Sequence, residues 1–300
     1  MAKHSRVNRS LSTVIGSTLF YFITALILVM AAYPMYFVLI ASFSNGNDLA
    51  NGRVWLIPRE IQMIGYQKVF DYAPLWVGYK NTIIYTVAGT LLSLAVTIPA
   101  AYAMSRKDFY LRNKIMIFFT IPMFFSGGMI PTYLLMKQVN LIDNPLVLII
   151  PGCFGIYNMI IARTFFQSTV PGELLDAAQI DGCGNARFFL SIVLPLSKAI
   201  IAVIGLYCAV SIWNSYFNAL LYIRNKEFIP LQLALRDILI ANSFNMRQGS
   251  TAASSGLQQQ RLQDLMKYCV IVVSTIPIMC VYPFIQKYFA KGVMIGAIKG

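Results

Sequence analysis

The chain has 300 residues, 58% of them hydrophobic and only 12% charged, with a formal net charge of +13. That balance excludes a pair of ordinary soluble domains and places the chain among polytopic membrane proteins. By the clustered-patch criterion the positive charge does not indicate a nucleic-acid partner; it fits Lys and Arg gathered on cytoplasmic loops beside a lipid bilayer.

The tail to Ser12 carries Lys3, His4, Arg6 and Arg9 before the sequence turns apolar. A signal peptide shares those features, but the apolar run from about 14 to 42 exceeds the roughly 7–15 residues of a signal core. It reads as a first transmembrane helix, with Pro34 kinking its outer part. Residues 43–80 are mixed and polar, and IPREIQMIGYQKVF within them suits a short helix on the outer surface. A second span follows at 81–104. Arg106, Lys107, Arg112 and Lys114 then face a single Asp108, a strong cytoplasmic marker.

The third span, 115–136, contains Gly127, Gly128 and Pro131, which survive at that depth only where protein or a water-filled path covers the backbone. A short turn leads to the fourth span, 146–166, with Arg163 near its inner end. A polar loop at 168–195 precedes the fifth span, 196–222. Residues 223–266 form an outer loop, whose NSFNMRQGSTAASSGLQQQRLQ stretch is Ser-, Gln-, Asn- and Gly-rich and reads as weakly ordered. A sixth span covers 267–289, with Lys287, Lys291 and Lys299 at its end. Six spans leave both termini on one side, and the basic residues assign that side to the cytoplasm. The expected fold is therefore all-α and integral to the membrane: a cytoplasmic tail over 1–13, then one transmembrane domain over 14–300.

Much familiar chemistry is missing. All eleven acidic residues fall in predicted loops, so the buried ionisable groups that ion-coupled carriers usually need are not in the spans. No G-x-x-x-x-G-K-[ST] phosphate loop occurs, so the chain is not expected to hydrolyse ATP by that route. His4 is the single histidine, which leaves little material for zinc or histidine catalysis, and no metal site is expected. Cys153, Cys183, Cys208, Cys269 and Cys280 lie in or beside apolar spans or in the 168–195 loop and read as small buried hydrophobes rather than a disulfide framework.

The loop PGELLDAAQIDGCGNARFFLSIVLP (171–195) is the stretch with something to do in water. Ser168 or Thr169 is placed to cap a helix start, with Pro171 in its first turn. Glu173 and Asp176 fall near the positive end of that helix, where each carboxylate is favoured by roughly 0.3–1 kcal/mol. Leu174, Ala177 and Ala178 give a small apolar face able to enter a groove, and Gly182 and Gly184 permit a sharp reversal. Phe188, Phe189 and Ile192 recur at helical spacing beside Arg187, and Pro195 marks the entry to the fifth span. The reading is a rigid knob that passes a partner's motion into the membrane; the alternative is a loop helix lying on lipid headgroups.

The spacing of Asp176, Ala177, Ala178, Gly182, Ile192, Leu194 and Pro195 resembles the signature of permease subunits of bacterial ABC importers, with Asp176 standing where many members have Glu. The run Pro171, Glu173, Leu174, Ala177, Ala178, Ile180, Asp181, Gly182, the pair Trp213–Asn214 and the KGVMIGAIKG ending resemble the carbohydrate branch, of the maltose-system inner-membrane type. FSGGMIPTYL in the third span is similar to a subgroup associated with complex oligosaccharides, including uronate polymers such as alginate. The resemblance implies that Asp176, Ala177, Ala178 and Gly182, with Glu173 as an additional contact, dock in a cleft of a separate ATP-binding subunit. It further implies a second homologous permease, an ATPase dimer that binds ATP and Mg, an extracytoplasmic solute-binding protein, an oligosaccharide cargo and a bacterial inner-membrane location. No cofactor is expected in this chain.

For substrate contact, Trp213, Asn214, Tyr216 and Asn218 make a polar-aromatic cluster in the fifth span, with Tyr157 and Asn158 in the fourth as weaker candidates. Sugars stack on aromatic faces and share hydrogen bonds with amides; the same cluster also fits an interfacial aromatic belt with polar helix–helix contacts. Two other functions stay open on sequence: a permease of the same kind for amino acids or peptides, and a stand-alone secondary carrier or channel. A membrane-embedded enzyme lacks catalytic residues.

Overall fold

The computed structural model describes residues 11–245, 261–262, 264–280 and 283. Every regular element among them is helical and none is a strand. The basic N-terminal tail, most of the polar stretch 242–263 and the KGVMIGAIKG ending lie outside the described residues. The chain divides into two compact units, residues 1–71 with 241–273, and residues 72–240 with 274–300.

In the first unit, α1 (Leu11–Ser42) runs unbroken through Pro34 and presents apolar side chains on all sides. A helix this uniformly apolar suits lipid or another membrane helix rather than a one-sided core. Two short helices follow, α2 (Gly46–Ala50), capped by the side chain of Asn45, and α3 (Ile64–Phe70). The latter lies within the stretch expected to form a surface helix. Ser42 links to this segment through a 2.8 Å hydroxyl contact with Tyr66, while the thiol of Cys269 donates to the Ser42 carbonyl at 3.4 Å.

The second unit is built on α4 (Ala73–Ser105), which packs along α11 (Lys198–Trp213) and α7 (Ile156–Thr169). It starts eight residues before the expected second span, because Pro74 at its first turn supplies a ready helical φ. The expected third span is two helices, α5 (Arg112–Phe124) and α6 (Met129–Gln138), inclined at 114° to one another. The break falls at Gly128, whose φ of 86° and ψ of 171° are open essentially to glycine alone.

The residues of the expected fourth span begin as a 3₁₀ turn at Pro145–Leu148 and pass through turns over 149–155, where Pro151, Gly152 and Gly155 oppose helix. They are helical only from α7 onward. After α7 come α8 (Gly172–Ile180), α9 (Asn185–Phe188), a π-helical stretch at Phe189–Val193 and α10 (Leu194–Leu196). The chain turns through 81° before α11 and ends the expected fifth span with a separate helix, α12 (Phe217–Tyr222). Part of the expected outer loop is helical as α13 (Leu231–Asn245), and residues 261–262 and 264–280 are helical. Among the described residues, two helices are long and apolar enough to cross a membrane, and four if each bent pair is one span.

Candidate functional site

The helix α8 stands between α7 and the turn into α9, and its start is set by proline. Val170, held extended at φ −107° and ψ 94° as the residue before proline must be, ends α7; Pro171 then occupies the N-cap. The expected caps do not act as caps. Ser168 and Thr169 belong to the last turn of α7; the Ser168 hydroxyl donates back to the Phe165 carbonyl at 3.0 Å, and the buried Thr169 hydroxyl has no partner among the described residues. A short hydroxyl side chain that finds the preceding turn has no need of the next helix.

The far end of α8 closes as a Schellman motif. The Cys183 amide donates to the Ala178 carbonyl at 2.8 Å and the Gly182 amide to the Gln179 carbonyl at 3.0 Å. Gly182 takes the left-handed φ of +71° that this closure requires. Gly184, expected to share in the reversal, has φ −70° and instead forms the N-cap of α9.

This geometry sorts the candidate residues by face. Ala178 is buried, and Leu175 half-buried, against a cluster containing Tyr102, Phe166, Phe188 and Val193. Glu173, Leu174, Asp176, Ala177, Asp181, Gly182, Gly184 and Arg187 are exposed. Ala177 and Ala178 are therefore split, one outward and one inward, as neighbours about 100° apart on a helix must be. Ile180, named in the sequence motif but not among the expected contacts, is exposed at 87%. With Leu174 and Ala177 it completes an outward face of small and apolar groups edged by Glu173 and Asp181. Its signal in the sequence is its spacing of three from Ala177, which places the two on one side. Pro195 lies in α10, exposed, one residue before the last of that helix.

Behind α8 sits the C-terminal end of α4. Tyr102 stacks on Phe189 with ring centroids 5.1 Å apart and meets Phe166 edge-on at 5.7 Å. Arg106 grips both carboxylate oxygens of Asp108 and donates from its third nitrogen to Asn185 Oδ1 at 2.8 Å. The hydrogen bond from Arg106 holds the Asp108 carboxyl below its ordinary range, so both partners stay charged. Arg112 donates to the Arg106 carbonyl at 3.0 Å, and Arg163 to the Met104 carbonyl at the same distance. A crevice of about 520 Å³ runs between the 105–112 loop and α8, with Arg106, Lys107 and Arg112 on one wall and Asp176 and Gln179 on the other.

The proposed path residues do not form one cluster. Trp213 ends α11 buried, with its ring edge-on to Tyr79 at 6.5 Å. It borders an apolar recess of about 290 Å³ with Ile83, Val87 and Val210. The Asn214 side chain donates to the Val210 carbonyl at 2.9 Å and so closes the end of its own helix. Tyr216 and Asn218 are exposed beyond that end. Tyr157 is exposed, while Asn158 reaches α11 through the Cys208 thiol at 3.5 Å, five residues before Trp213.

A feature the sequence reading passed over is the hydroxyl stripe Thr82, Thr86, Thr90, Ser93 and Thr97 along α4. Ser93 contacts the Cys208 thiol at 3.0 Å, and Thr86, Thr90, Thr97 and the indole nitrogen of Trp213 are buried without a partner among the described residues. Its spacing of three and four was the signal, and small hydroxyl residues on one face mark close helix–helix packing in membranes.

Among the described residues, helices long and apolar enough to cross a membrane accompany a short helix, α8, that is packed on one face and bare on the other. Residues 89–295 match the family described as binding-protein-dependent transport system inner membrane components, and the chain belongs to that family. It is 38% identical over 267 residues to the protein LplC of Bacillus subtilis, the match covering 89% of each chain. It is 38% identical over the same length to the polygalacturonan/rhamnogalacturonan transport system permease protein YtcP of that organism, covering 89% of this chain and 92% of the relative. Among solved structures it is similar to a chain of a bacterial ABC transporter involved in the import of the acidic polysaccharide alginate. The TM-score is 0.83 with 31% identity, covering 96% of this chain and all of that one.

Proposed function

We propose that the chain is a permease subunit of an ATP-driven ABC importer for oligosaccharides, of the complex or acidic kind represented by polygalacturonan and alginate. The relatives' cargoes support the sugar assignment, and the exposed face of α8 supports the coupling role. The chain forms half of a translocation path with a second, homologous permease. It has no ATPase site of its own: ATP and Mg are bound by a separate ATPase dimer, and a solute-binding protein outside the cell delivers the cargo.

In this reading six spans cross the bacterial cytoplasmic membrane with both termini inside, the bent pairs α5–α6 and α9–α11 each counting as one span. The outward face of α8, with Glu173, Leu174, Asp176, Ala177, Asp181 and Gly182, seats in the ATPase. Nucleotide binding pulls the knob, and the buried side at Ala178 and Phe188 hands the displacement to α4 and α7. The path opens outward, and hydrolysis resets it inward, a two-state element biased by a partner. Trp213, Asn214, Tyr216, Asn218, Tyr157 and Asn158 border the path as sugar-contacting groups, and the 223–266 segment meets the binding protein.

The single observation that carries the reading is the placement of Asp176, Ala177 and Ala178, closed off by Gly182, on a short helix that is anchored on one side and bare on the other. The test is purification in mild detergent followed by reconstitution. An ATPase and a second permease are expected to accompany the chain, and uptake of labelled galacturonate or alginate oligosaccharides is expected only with ATP and the binding protein present. Sugar flux through the chain alone would overturn the reading. Competition by peptides but not by oligosaccharides would replace the cargo.

A further inference from the structure

The knob must deliver its motion to the membrane helices through contacts that survive the stroke, and the contacts on the two sides of α8 differ in kind. On its α7 side only Val170 and Pro171 separate the two helices. On its exit side, the Schellman turn at Gly182 sets Asn185 at the first position of α9, itself exposed on its helix. There the guanidinium of Arg106 reaches it.

Arg106 is well suited to be a strut. It follows the last residue of α4, and its side chain is only 13% exposed. Two of its nitrogens are fixed by Asp108, so the fork cannot swing, and the third is left pointing at Asn185 Oδ1. Its carbonyl is held by Arg112, and its charged centre lies 6.0 Å from the Tyr102 ring, one turn back on α4. That ring in turn stacks on Phe189. A bidentate ion pair is a directional constraint, unlike a lysine's point charge. A stacked ring pair can slide, whereas a pre-aimed guanidinium holds its partner in one place.

We propose that Arg106 is a positioning residue for energy coupling: through Asn185 it ties the exit of α8 to the end of α4, so displacement of the knob moves α4 rather than only reshaping the loop. Asp108 acts by aiming Arg106, and Asn185 is the receiving point. The proposal rests on the coupling role given to α8 and adds the residue pair through which that role is exercised.

The test uses the whole complex in proteoliposomes and measures ATP hydrolysis together with uptake of the acidic oligosaccharide that the wild-type complex takes up. Asn185→Leu removes the acceptor at an exposed site, and Arg106→Lys keeps the charge but loses the fork. Both are expected to leave subunit assembly and ATP hydrolysis near wild type while uptake per ATP falls about tenfold, within the usual range of coupling between sites. Asn185→Asp keeps an acceptor and is expected to restore uptake. A wild-type uptake-to-hydrolysis ratio in Asn185→Leu and Arg106→Lys would overturn the strut. So would an equal loss in Asn185→Asp and Asn185→Leu, which would mark a general disturbance of the loop. Ala177→Asp, on the bare face of α8, is the separate control. If it still retains the ATPase and transports, the coupling role itself fails; if it loses the ATPase while Asn185→Leu behaves as wild type, only the strut fails.

Discussion

The two ends of α4 are held differently. At the Asn81 end the helix is sewn to the backbone of the segment after α12: the Asn81 amide donates to the carbonyls of Glu227 at 2.7 Å and Ile229 at 3.0 Å. Nearby, the Tyr85 hydroxyl donates to the Phe228 carbonyl and the Thr82 hydroxyl accepts the Leu231 amide. At the Arg106 end Arg163 of α7 holds the Met104 carbonyl of α4, but α4 meets the stretch that follows α8 through stacked rings and one cross-brace. Several hydrogen bonds to backbone fix a position, because each one lost would strand a buried polar group. Rings and a single strut allow a rigid neighbour to be moved. One end has the character of a pivot and the other that of a lever.

The largest effect that would break this contrast is at the lever. Ala177→Asp puts a charge on the bare face of α8 while the buried side stays packed; uptake is expected to vanish at normal membrane abundance, measured by transport and immunoblot together. Normal uptake would remove the docking face from the account. At the pivot, Asn81→Leu strands two carbonyls, and a loss of about 2–3 kcal/mol is expected as a lowered unfolding midpoint in detergent. A midpoint unchanged from wild type would mean that the stitching does not fix the helix.

Gly182→Ala sharpens the comparison. A Cβ there meets no neighbouring atom within 4 Å, so only the left-handed backbone is strained. The expected cost is roughly 1–2 kcal/mol. It should appear as faster proteolysis at the α8 turn, with nothing changed at the Asn81 end.

The smallest effect concerns Asp143, which helps close the turn near the pivot. Its carboxylate accepts the amides of Asn225 at 2.7 Å and Arg224 at 2.9 Å, and these bonds lower its pKa from the ordinary 3.8. A carboxylate with a depressed folded value contributes stability that is complete above 3.8 and is lost as pH falls from there through the lower folded value. Asp143→Asn is therefore expected to lower the unfolding midpoint slightly at neutral pH, where the carboxylate's contribution is complete, and to converge with wild type below about pH 4, which flattens the acid limb. An acid limb identical to wild type would show that these two bonds are not linked to folding.

Much of the site was legible because its chemistry is local. The Asp-Ala-Ala and Gly spacing, the proline that stops α7 and the glycine that closes α8 all act within one or two helical turns, where sequence separation and spatial separation are nearly the same thing. The loss of Ser168 and Thr169 as caps belongs to the same scale: both fall in the last turn of α7, and the Ser168 hydroxyl bonds back to that turn. The division of Ala177 from Ala178 could also be drawn from helix period alone. Which of them faces inward could not, since that depends on Phe166 and Phe188 arriving from other elements.

The sequence by itself determined that this is an all-helical membrane protein with a polar, signature-bearing loop, because hydrophobic content and short-range spacing need no knowledge of distant partners. Only the tertiary structure decided that the expected third span breaks through 114° at Gly128 and that Trp213 turns inward while Asn214 closes its own helix. It also decided that Arg106, one basic residue among several in a loop, meets Asn185 seventy-nine positions away. Those outcomes depend on which surfaces the folded chain brings together, and a pattern of residue types along a line does not contain that.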